Sequence, residues 1–319
     1  MAHNAIWQAL KEKGVPQKIV TIIKAIYDQS TCNVLHKNQV PEPIPVLNGV
    51  KQGCVLSSLL FNVTLDYVMY KESTNSAGIR WGLCGKFTDL DYADDICLLA
   101  HSIRAMQIML ERLKNEVTKV GLKININEFK EMHIAMNNNE TLCIYSETTE
   151  RVSQFAYLGS IIRNIDGTEA DIMTRIQKTQ IASSTLNKIW HSMAYSMQTK
   201  LCIFNTNVKA VLLYGCETWK NSKYIRAKLQ VFINKCLRKI LRIFWPDQIT
   251  NEELWKLTKQ PRIDLQIRKC KWGWLGHTLR KLSDIASQVL EWNPQGKRGR
   301  GRPRNTRRRT VLEEAKRVK

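Results

Sequence analysis

The fold is decided by residues 89–99, DLDYADDICLL, in which an acidic pair lies between Leu90 and Tyr92 on one side and a short apolar run on the other. The pair is Asp94-Asp95, and four apolar residues follow it directly. Short apolar runs on both sides of a polar tight turn are typical of an antiparallel hairpin. We therefore predict strand, turn and strand over residues 87–100, with both carboxylates at the turn.

Two adjacent carboxylates are electrostatically unfavourable, because like charges at close range raise the pKa of one of them. A bound divalent cation removes this conflict, and Mg²⁺ commonly takes one or two protein carboxylates together with substrate phosphates. The alternative is a polar turn, because aspartate is common in turns. The apolar strands, with Asp89 and Asp91 just upstream, leave both interpretations open.

Apolar residues recur at helical spacing both before and after this hairpin in the sequence. Residues 55–69 and 103–120 are predicted to be helices, and Gly121 is a plausible stop for the second one. Residues 1–30 are predicted to be helical with a break at residues 14–16. The apolar face of the part after that break is expected to contain four isoleucines, namely Ile19, Ile22, Ile23 and Ile26.

The rest of the chain changes from short strands to helices. Strands are predicted near residues 122–126, 132–136, 142–145 and 155–162, and three amphipathic helices at residues 169–190, 198–214 and 224–244. The fold class is therefore predicted to be α+β, with a mixed half followed by an all-helical half. The boundary between the halves is predicted near residue 166.

Composition excludes several classes of protein. No run approaches the ~18 apolar residues of a membrane span, and the first residues lack the features of a signal peptide. The nine cysteines are scattered without a Cys-x-x-Cys pair, so neither a disulfide framework nor a zinc finger is indicated. We therefore interpret the chain as an intracellular soluble protein without a membrane partner.

Charge points to the partner. The 319 residues contain 49 Lys and Arg against 28 Asp and Glu, a formal net charge of +21. Residues 297–319 alone carry eleven basic and two acidic side chains. Such an excess of positive charge favours a polyanionic partner, most often nucleic acid.

Four blocks of sequence follow one another in a fixed order. They are Gly-x-x-Gln-Gly-x-x-x-Ser, Tyr-Ala-Asp-Asp, Gly-Leu-Lys-Ile-Asn and Phe-x-Tyr-Leu-Gly-Ser, at residues 49–57, 92–95, 121–125 and 155–160. In this order and at these intervals, the set closely resembles the reverse transcriptase of non-LTR (LINE-type) retrotransposons. The resemblance continues through residues 212–219 and into the basic tail. It therefore covers essentially the whole chain.

The resemblance implies an architecture. Residues 1–166 would form part of a polymerase palm, a small antiparallel sheet with helices. Residues 167–246 would form a helical thumb and residues 247–296 a small helical C-terminal region. A basic tail, residues 297–319, would complete the chain.

The resemblance also implies RNA-directed DNA polymerase activity, with an RNA template, a DNA primer or target, dNTP and a two-ion Mg²⁺ site. Asp94 and Asp95 would be catalytic metal ligands. Residues that contact substrate or template would be Tyr92, Gln52, Gly53 and Ser57. Residues 155–160 would grip the primer through Phe155, Tyr157, Leu158 and Gly159, although the same aromatic residues also fit an ordinary core strand.

Departures from the family pattern leave the activity open. The family carries a further metal-binding aspartate a few residues before a Leu-Trp pair, and Ile6-Trp7 resembles that pair, so the aspartate would fall at or before Met1. We therefore expect a C-terminal portion of a longer element or a truncated gene product, with impaired two-metal chemistry. Ser58 also replaces the usual proline, and Glu128 replaces a usual lysine. The alternative function is a catalytically inactive nucleic-acid-binding remnant.

The tail contains Arg300, Arg302 and Arg304 in the sequence Arg-Gly-Arg-Pro-Arg, which resembles an AT-hook. Such a core lies in the narrow minor groove of A·T-rich DNA. General attachment to nucleic acid, nuclear import and a solvated tail are the alternatives. Family chemistry on chromosomal DNA implies the nucleus, whereas translation and RNA packaging imply the cytoplasm; the oligomeric state is not predicted.

Overall fold

The computed structural model describes residues 1–33, 42–72, 78–81, 85–134, 140–164, 167–219, 222–280, 287 and 307–316. These residues form two compact units, residues 1–153 and residues 154–319. Both helices and short, mostly antiparallel two-stranded sheets are present, so the fold is a mixed one of the α+β type. The functional boundaries at residues 166, 246 and 296 stay predictions.

Four helices build the first unit: α1 (His3–Glu12), α2 (Gln17–Asp28), α3 (Val55–Glu72) and α4 (Ile103–Lys119). The predicted break between the first two is confirmed. It depends on Gly14, whose φ of +75° suits glycine, and on Pro16, which precedes the first turn of α2.

Ten short strands accompany these helices. They are β1 (Thr31–Cys32), β2 (Ile44–Pro45), β3 (Ile79–Trp81), β4 (Gly85–Phe87), β5 (Asp89–Tyr92), β6 (Asp95–Leu98), β7 (Lys130–Glu131), β8 (Cys143–Ile144), β9 (Glu147–Thr148) and β10 (Glu150–Arg151). Consecutive strands pair as antiparallel hairpins, except that β7 pairs with β10 in parallel.

The predicted apolar face of α2 is wrong at three of its four positions. Ile23 is buried, but Ile19, Ile22 and Ile26 are exposed. The buried face instead contains Val20, Ile23 and Tyr27. The tyrosine fixes this rotation of the helix, because its ring packs against aromatic residues of α1 and its hydroxyl is hydrogen-bonded with a buried serine of α3.

The strand predicted at residues 122–126 is also wrong. Leu122 follows the end of α4 and donates its N–H to Val117, and a single 3₁₀ turn begins at Ile126. Leu122 and Ile124 still pack against the core, so their apolar character reflects burial of a loop. Of residues 132–136, the first three lie outside strands and the last two lie outside the described residues. The strand at 142–145 is confirmed with shifted bounds, whereas residues 155–162 form two antiparallel strands and a turn instead of one strand.

The second unit begins with a hairpin and continues as helices. Its elements are β11 (Gln154–Tyr157), β12 (Ser160–Arg163), α5 (Gly167–Thr185), α6 (Asn187–His191), α7 (Met197–Ile203), a π-helical turn (Phe204–Lys209), α8 (Ala210–Leu213), a 3₁₀ turn (Cys216–Thr218), α9 (Lys223–Leu241), α10 (Asn251–Thr258), α11 (Ile263–Arg280) and α12 (Arg307–Lys316).

The core of this unit lies around α9. The apolar stripe predicted on residues 224–244 is confirmed, since Leu229, Leu237 and Ile240 are at most 2% exposed and pack with residues of α5, α10 and α11. Part of the basic tail is helical, as α12, and its Glu314 forms an ion pair with Lys271 of α11 at 3.3 Å. Within the described residues, no helix is both long and apolar enough to cross a membrane.

Candidate functional site

The acidic pair lies at the tip of the hairpin formed by β5 and β6. Tyr92 pairs with Asp95, so Ala93 and Asp94 are the two turn residues. Ala93 has a φ of +54°. Alanine is uncommon in this left-handed region, because its Cβ approaches the backbone too closely. The predicted strand, turn and strand are therefore confirmed, and the turn is strained at the residue before the first carboxylate.

Alternation of side chains gives this hairpin a packed face and an open face. Ile96 and Leu98 of β6 pack against the apolar cluster of α3 and α4. Directly opposed residues of an antiparallel pair share a face, so Tyr92 and Asp95 lie on the other one. Tyr92 is 65% exposed there. Apolar contacts thus hold one face of the hairpin, and the side chains of Tyr92 and Asp95 lie on the exposed face.

Neither carboxylate at the tip is neutralised within the described part of the chain. Asp94 and Asp95 are both exposed, and no described cationic side chain forms an ion pair with them. One residue further along β6, burial and then the charge of Asp91 raise the pKa of the Cys97 thiol, so that thiol stays neutral. Within the described residues, the tip of the hairpin therefore carries uncompensated negative charge.

These residues fit part of a magnesium site. Mg²⁺ takes hard oxygen ligands and usually combines one or two carboxylates with substrate phosphates and water. Asp94 and Asp95 provide that number of carboxylates on an accessible turn. Among the described residues, however, no group of three or more His, Cys, Asp or Glu side chains is placed to hold a metal ion. The pair suits a hard cation whose remaining ligands come from elsewhere.

The glycine–glutamine loop lies directly before α3. Gln52 and Gly53 are exposed, and Gly53 has a φ of +81° with open space around it. Cys54 caps the helix, and hydrogen bonds from the backbone N–H and side chain of Ser57 lower the pKa of its thiol. The loop therefore presents backbone and a polar amide to solvent at a helix N-terminus.

Ser57, which we predicted to contact template or substrate, is turned inward. It is 3% exposed, and its hydroxyl lies 3.0 Å from the hydroxyl of Tyr27. This hydrogen bond joins α2 to the first turn of α3. In the present structure Ser57 thus supports the loop from inside, and a direct contact with a ligand stays a prediction.

Helix α3 links these two elements. The loop with Gln52 is continuous with the N-terminus of α3, and Ile96 and Leu98 of the acidic hairpin pack against an apolar cluster that α3 shares with α4. The start of the chain fixes the loop as well, because His3 lies within hydrogen-bond distance of the carbonyl oxygen of Gly49 (2.9 Å). The two predicted motifs are therefore mounted on a common support.

Comparison with protein families decides the relationship. A family model described as reverse transcriptase (RNA-dependent DNA polymerase) matches residues 1–162, just over half of the chain. The chain belongs to the reverse transcriptase family. The match includes the acidic hairpin and the glycine–glutamine loop, and a second model, a domain of unknown function (DUF6451), matches residues 182–214.

The relatives of this chain are described as transposon-derived or as Pol polyproteins of retrotransposable elements. The chain is 25% identical over 217 residues to a transposon-derived protein of Caenorhabditis elegans, covering 65% of this chain and 77% of the relative. It is 31% identical over 122 residues to a retrovirus-related Pol polyprotein from the R2 element of Nasonia vitripennis, covering 38% of this chain. The corresponding match in Drosophila melanogaster is 26% identical over 129 residues and covers 40% of this chain. These two matches span 12% of the insect polyproteins. The relatives identify the chain with reverse transcriptases of non-LTR retrotransposons.

The hairpin of the second unit contains the residues predicted to grip the primer. Phe155 and Tyr157 are half-buried on β11. Leu158 and Gly159 are the turn residues, with φ of +47° and +77°, and two positive values are typical of a type I′ turn. Leu158 is 37% exposed. The hairpin thus offers one apolar tip residue and two aromatic residues that are also part of the packing.

Two helical residues that contact this hairpin, Asp171 and Arg175, were not among the predicted site residues. Both are buried on α5, at 5% and 6% exposure. Asp171 accepts from the N–H of Ile161, and Arg175 donates to the carbonyl oxygen of Gly159. A charged pair four residues apart is common on exposed helices, so its spacing alone gave no signal of this contact.

The basic side chains on α9 and at its C-terminal end divide into two groups. Arg238 and Arg242 donate to acceptors within the unit, on Asn251 and on the carbonyl oxygen of His191. Lys228 lies over the ring of Tyr224, 4.4 Å from its centroid, and Lys235 is exposed. The tail residues Arg300, Arg302 and Arg304 lie outside the described residues.

Proposed function

We propose that the chain catalyses RNA-directed DNA synthesis, adding nucleotides from dNTP to a DNA primer on an RNA template. The family match supports this reaction class. The observation that carries the proposal is the pair Asp94 and Asp95, exposed at the tip of a hairpin that packs against the cluster of α3 and α4, with the glycine–glutamine loop at the start of α3.

In this reaction the 3′-hydroxyl oxygen of the primer forms a bond to the α-phosphorus of dNTP. The bond from that phosphorus to the pyrophosphate oxygen breaks, and the hydroxyl proton leaves to solvent. Asp94 and Asp95 would hold Mg²⁺, which when bound activates the hydroxyl and neutralises the phosphates. The carboxylates themselves position this charge at an accessible turn.

Other residues would orient the substrates. Tyr92 shares the open face with Asp95 and would contact the primer end. Gln52 would contact template or nucleotide, and the absence of a side chain at Gly53 permits close approach of backbone to a base pair. Phe155, Tyr157, Leu158 and Gly159 would grip the primer strand. Each assignment is supported by the motif in which the residue lies.

We further propose that residues 1–166 act as a palm and residues 167–246 as a thumb. The hairpin on two helices supports the first assignment, and the helical core around α9 supports the second. The exposed cation Lys235 and the basic tail with Arg300, Arg302 and Arg304 would contact nucleic-acid phosphates. Such contacts are independent of sequence and sensitive to salt. Action on chromosomal DNA would place the protein in the nucleus, and RNA packaging in the cytoplasm.

Primer extension on poly(rA)/oligo(dT) with Mg²⁺ tests the proposed reaction. The full chain is expected to extend the primer, and Asp94→Ala to reduce the rate by about 10³-fold or more, because a charged metal ligand is lost. Glu147→Ala is the matched control, since Glu147 is an exposed carboxylate beside another two-residue turn of the same unit. Equal rates for the full chain and Asp94→Ala, or no extension by either, would contradict the proposal.

A second candidate function is nucleic-acid binding without polymerisation. It is favoured by the lack of a third metal-ligating side chain near the pair within the described residues, and by the net charge of +21. This candidate predicts tight, salt-sensitive binding of a template–primer duplex with no extension, and no effect of Asp94→Ala on binding. Binding and extension measured on one preparation therefore separate the two functions.

A further inference from the structure

We propose that Asp171, Arg175, Tyr214 and Trp219 are positioning residues that hold the β11–β12 turn in place for the primer strand. This inference rests on the proposed function, because it assigns a purpose to the hairpin that would grip the primer. All four side chains belong to the same compact unit as the hairpin. Together they form what we call the clasp.

The turn itself is the first part of the argument. Leu158 has a φ of +47°, which is costly for a residue with a Cβ, and Gly159 follows at +77°. Strained backbone persists where the surrounding structure fixes it, and such strain clusters at functional sites. Here both turn carbonyls are held: the oxygen of Leu158 accepts from the hydroxyl of Tyr214 (3.2 Å), and that of Gly159 accepts from Arg175 (2.6 Å).

Strand β12, which follows the turn, is held by α5, the helix that also contains Arg175. Tyr157 and Ser160 close the turn, so the next opposed pair is Ala156 and Ile161. In an antiparallel ladder this pair is not mutually hydrogen-bonded, and the N–H of Ile161 points away from β11. It donates to Oδ1 of Asp171 at 2.9 Å. A hydrogen bond that the sheet leaves open is thus made by a helix side chain.

The clasp is internally connected. Oδ2 of Asp171 accepts from the indole N–H of Trp219 (3.1 Å), and the guanidinium of Arg175 lies 4.5 Å from the ring centroid of Tyr214. Asp171 and Arg175 lie one helical turn apart, with 3.9 Å between Nε and Oδ1. The hairpin is therefore fastened to α5 and to the segment that contains Tyr214 and Trp219.

Burial of this charged pair suggests a purpose beyond stability. Both side chains are more than nine-tenths buried, and Nε of Arg175 has no hydrogen-bond partner among the described residues. Replacing a buried ion pair by apolar residues is often neutral or stabilising, so such a pair is weak evidence for a stabilising role. What the clasp provides instead is a fixed orientation of Leu158 and Gly159. Position matters for a primer contact, since small misplacements of substrate reduce rates strongly.

Hydrogen exchange of the full chain tests the clasp directly. In Asp171→Asn and Arg175→Gln, amides 158–162 are expected to exchange about tenfold faster or more, while α9 keeps its protection. Tyr214→Phe and Trp219→Phe each remove a single donor and should have smaller effects in the same segment. Lys178→Gln is the matched control, because it removes one exposed cation from the same helix. Unchanged exchange of the hairpin in Asp171→Asn and Arg175→Gln would overturn the inference.

A second measurement, hydrogen exchange in the presence of a template–primer duplex, tests whether the clasp positions the hairpin for the primer or only stabilises the fold. A template–primer duplex is expected to protect amides 154–163 in the unmodified chain, and this protection should be at least about tenfold weaker in Arg175→Gln at equal duplex concentration. Duplex-induced protection of the same size in both proteins, or no protection in the unmodified chain, would overturn the role of the clasp in primer contact. Because this measurement requires no catalysis, loss of extension by the unmodified chain would contradict the proposed function without deciding the clasp.

Discussion

Two hairpins of this member of the reverse transcriptase family have a two-residue turn and differ in how the turn is held. The hairpin with Asp94 and Asp95 rests on apolar contacts below its strands, and its tip has no cationic partner within the described residues. The β11–β12 hairpin has both turn carbonyls hydrogen-bonded to side chains, one on α5 and one in the turn that follows α8. The first tip is left available, and the second is fastened.

This difference follows from the chemistry each tip carries. An uncompensated pair of carboxylates is costly unless a cation arrives, so an internal lysine or arginine would compete with that cation. The tip with Leu158 and Gly159 carries no charge and offers mainly shape, which is useful only if it stays in place. We therefore infer that the carboxylates of the first tip stay unpaired because a cation must bind there. The backbone of the second tip is held by hydrogen bonds because it must keep the primer strand in position.

The largest difference in stability is expected between two variants that each lose one carboxylate, one at the acidic tip and one on the helix that holds the β11–β12 turn. Asp171→Ala leaves Arg175, the N–H of Ile161 and the indole of Trp219 without their buried partner, so we expect the free energy of unfolding to fall by about 3 kcal/mol. Asp94→Ala removes an exposed group without an ion-pair partner and should change it by less than about 0.5 kcal/mol. Urea denaturation of both variants measures the difference. Equal losses would show that the two tips are held alike.

A third carboxylate, the buried Glu131, is expected to make the stability of the fold depend on pH. It is 4% exposed. Burial raises its pKa, but hydrogen bonds from Thr149, the N–H of Leu142 and His133 outweigh burial and leave the pKa below its ordinary value of 4.5. A carboxylate with a lowered folded pKa stabilises the fold above the unfolded pKa, and that stability is lost as pH falls through the folded value.

Glu131→Gln should therefore lower the free energy of unfolding by about 1–3 kcal/mol at neutral pH and flatten its decline below pH 4.5. Urea denaturation from pH 7 down to pH 3 measures both effects. Glu147→Gln, at an exposed position beside the β8–β9 turn, provides the control and should leave the neutral-pH value almost unchanged. A decline with the same slope in Glu131→Gln as in the unmodified chain would contradict this role.

Turn substitutions should give the smallest effects, of opposite sign in the two hairpins. Gly159→Ala places a Cβ at a φ of +77°, with ordinary contacts to Arg175 and Tyr214, so we expect a loss of about 1 kcal/mol from backbone strain. Ala93→Gly relieves the strain at +54° and should gain about 0.5 kcal/mol or less after the entropy of glycine is included. Thermal unfolding of both variants checks the signs, and a loss in Ala93→Gly would refute the strain at the acidic turn.

Local patterns in the sequence were sufficient for the acidic hairpin and its two supporting helices. The apolar–acidic–apolar order of residues 89–99 predicts the turn, and regular apolar spacing predicts α3 and α4. The stripe on α9 was predictable for the same reason. In each case the information lies within a single element, because burial of one face imposes the period of that element.

Features set by distant partners could not be predicted in this way. Four isoleucines suggested one face of α2, but packing of Tyr27 onto α1 and α3 rotates the helix and exposes three of them. The clasp includes Asp171 and Trp219, which lie 48 positions apart in the chain, and Asp171 and Arg175 look like an ordinary surface pair. Neither the rotation of α2 nor the contacts of the clasp can be deduced from the spacing of residues within a single helix or strand.

Metal binding at the acidic tip is the most direct test of the account. Mn²⁺ serves as a paramagnetic substitute for Mg²⁺, and the methyl group of Ala93, between Tyr92 and Asp94, reports on it by NMR in the presence of dNTP. We predict that Mn²⁺ broadens the Ala93 signal, that excess Mg²⁺ restores it, and that the double variant Asp94→Asn/Asp95→Asn does not show the broadening. The same broadening in the double variant, or none in the unmodified chain, would contradict the claim that this carboxylate pair holds the catalytic cation.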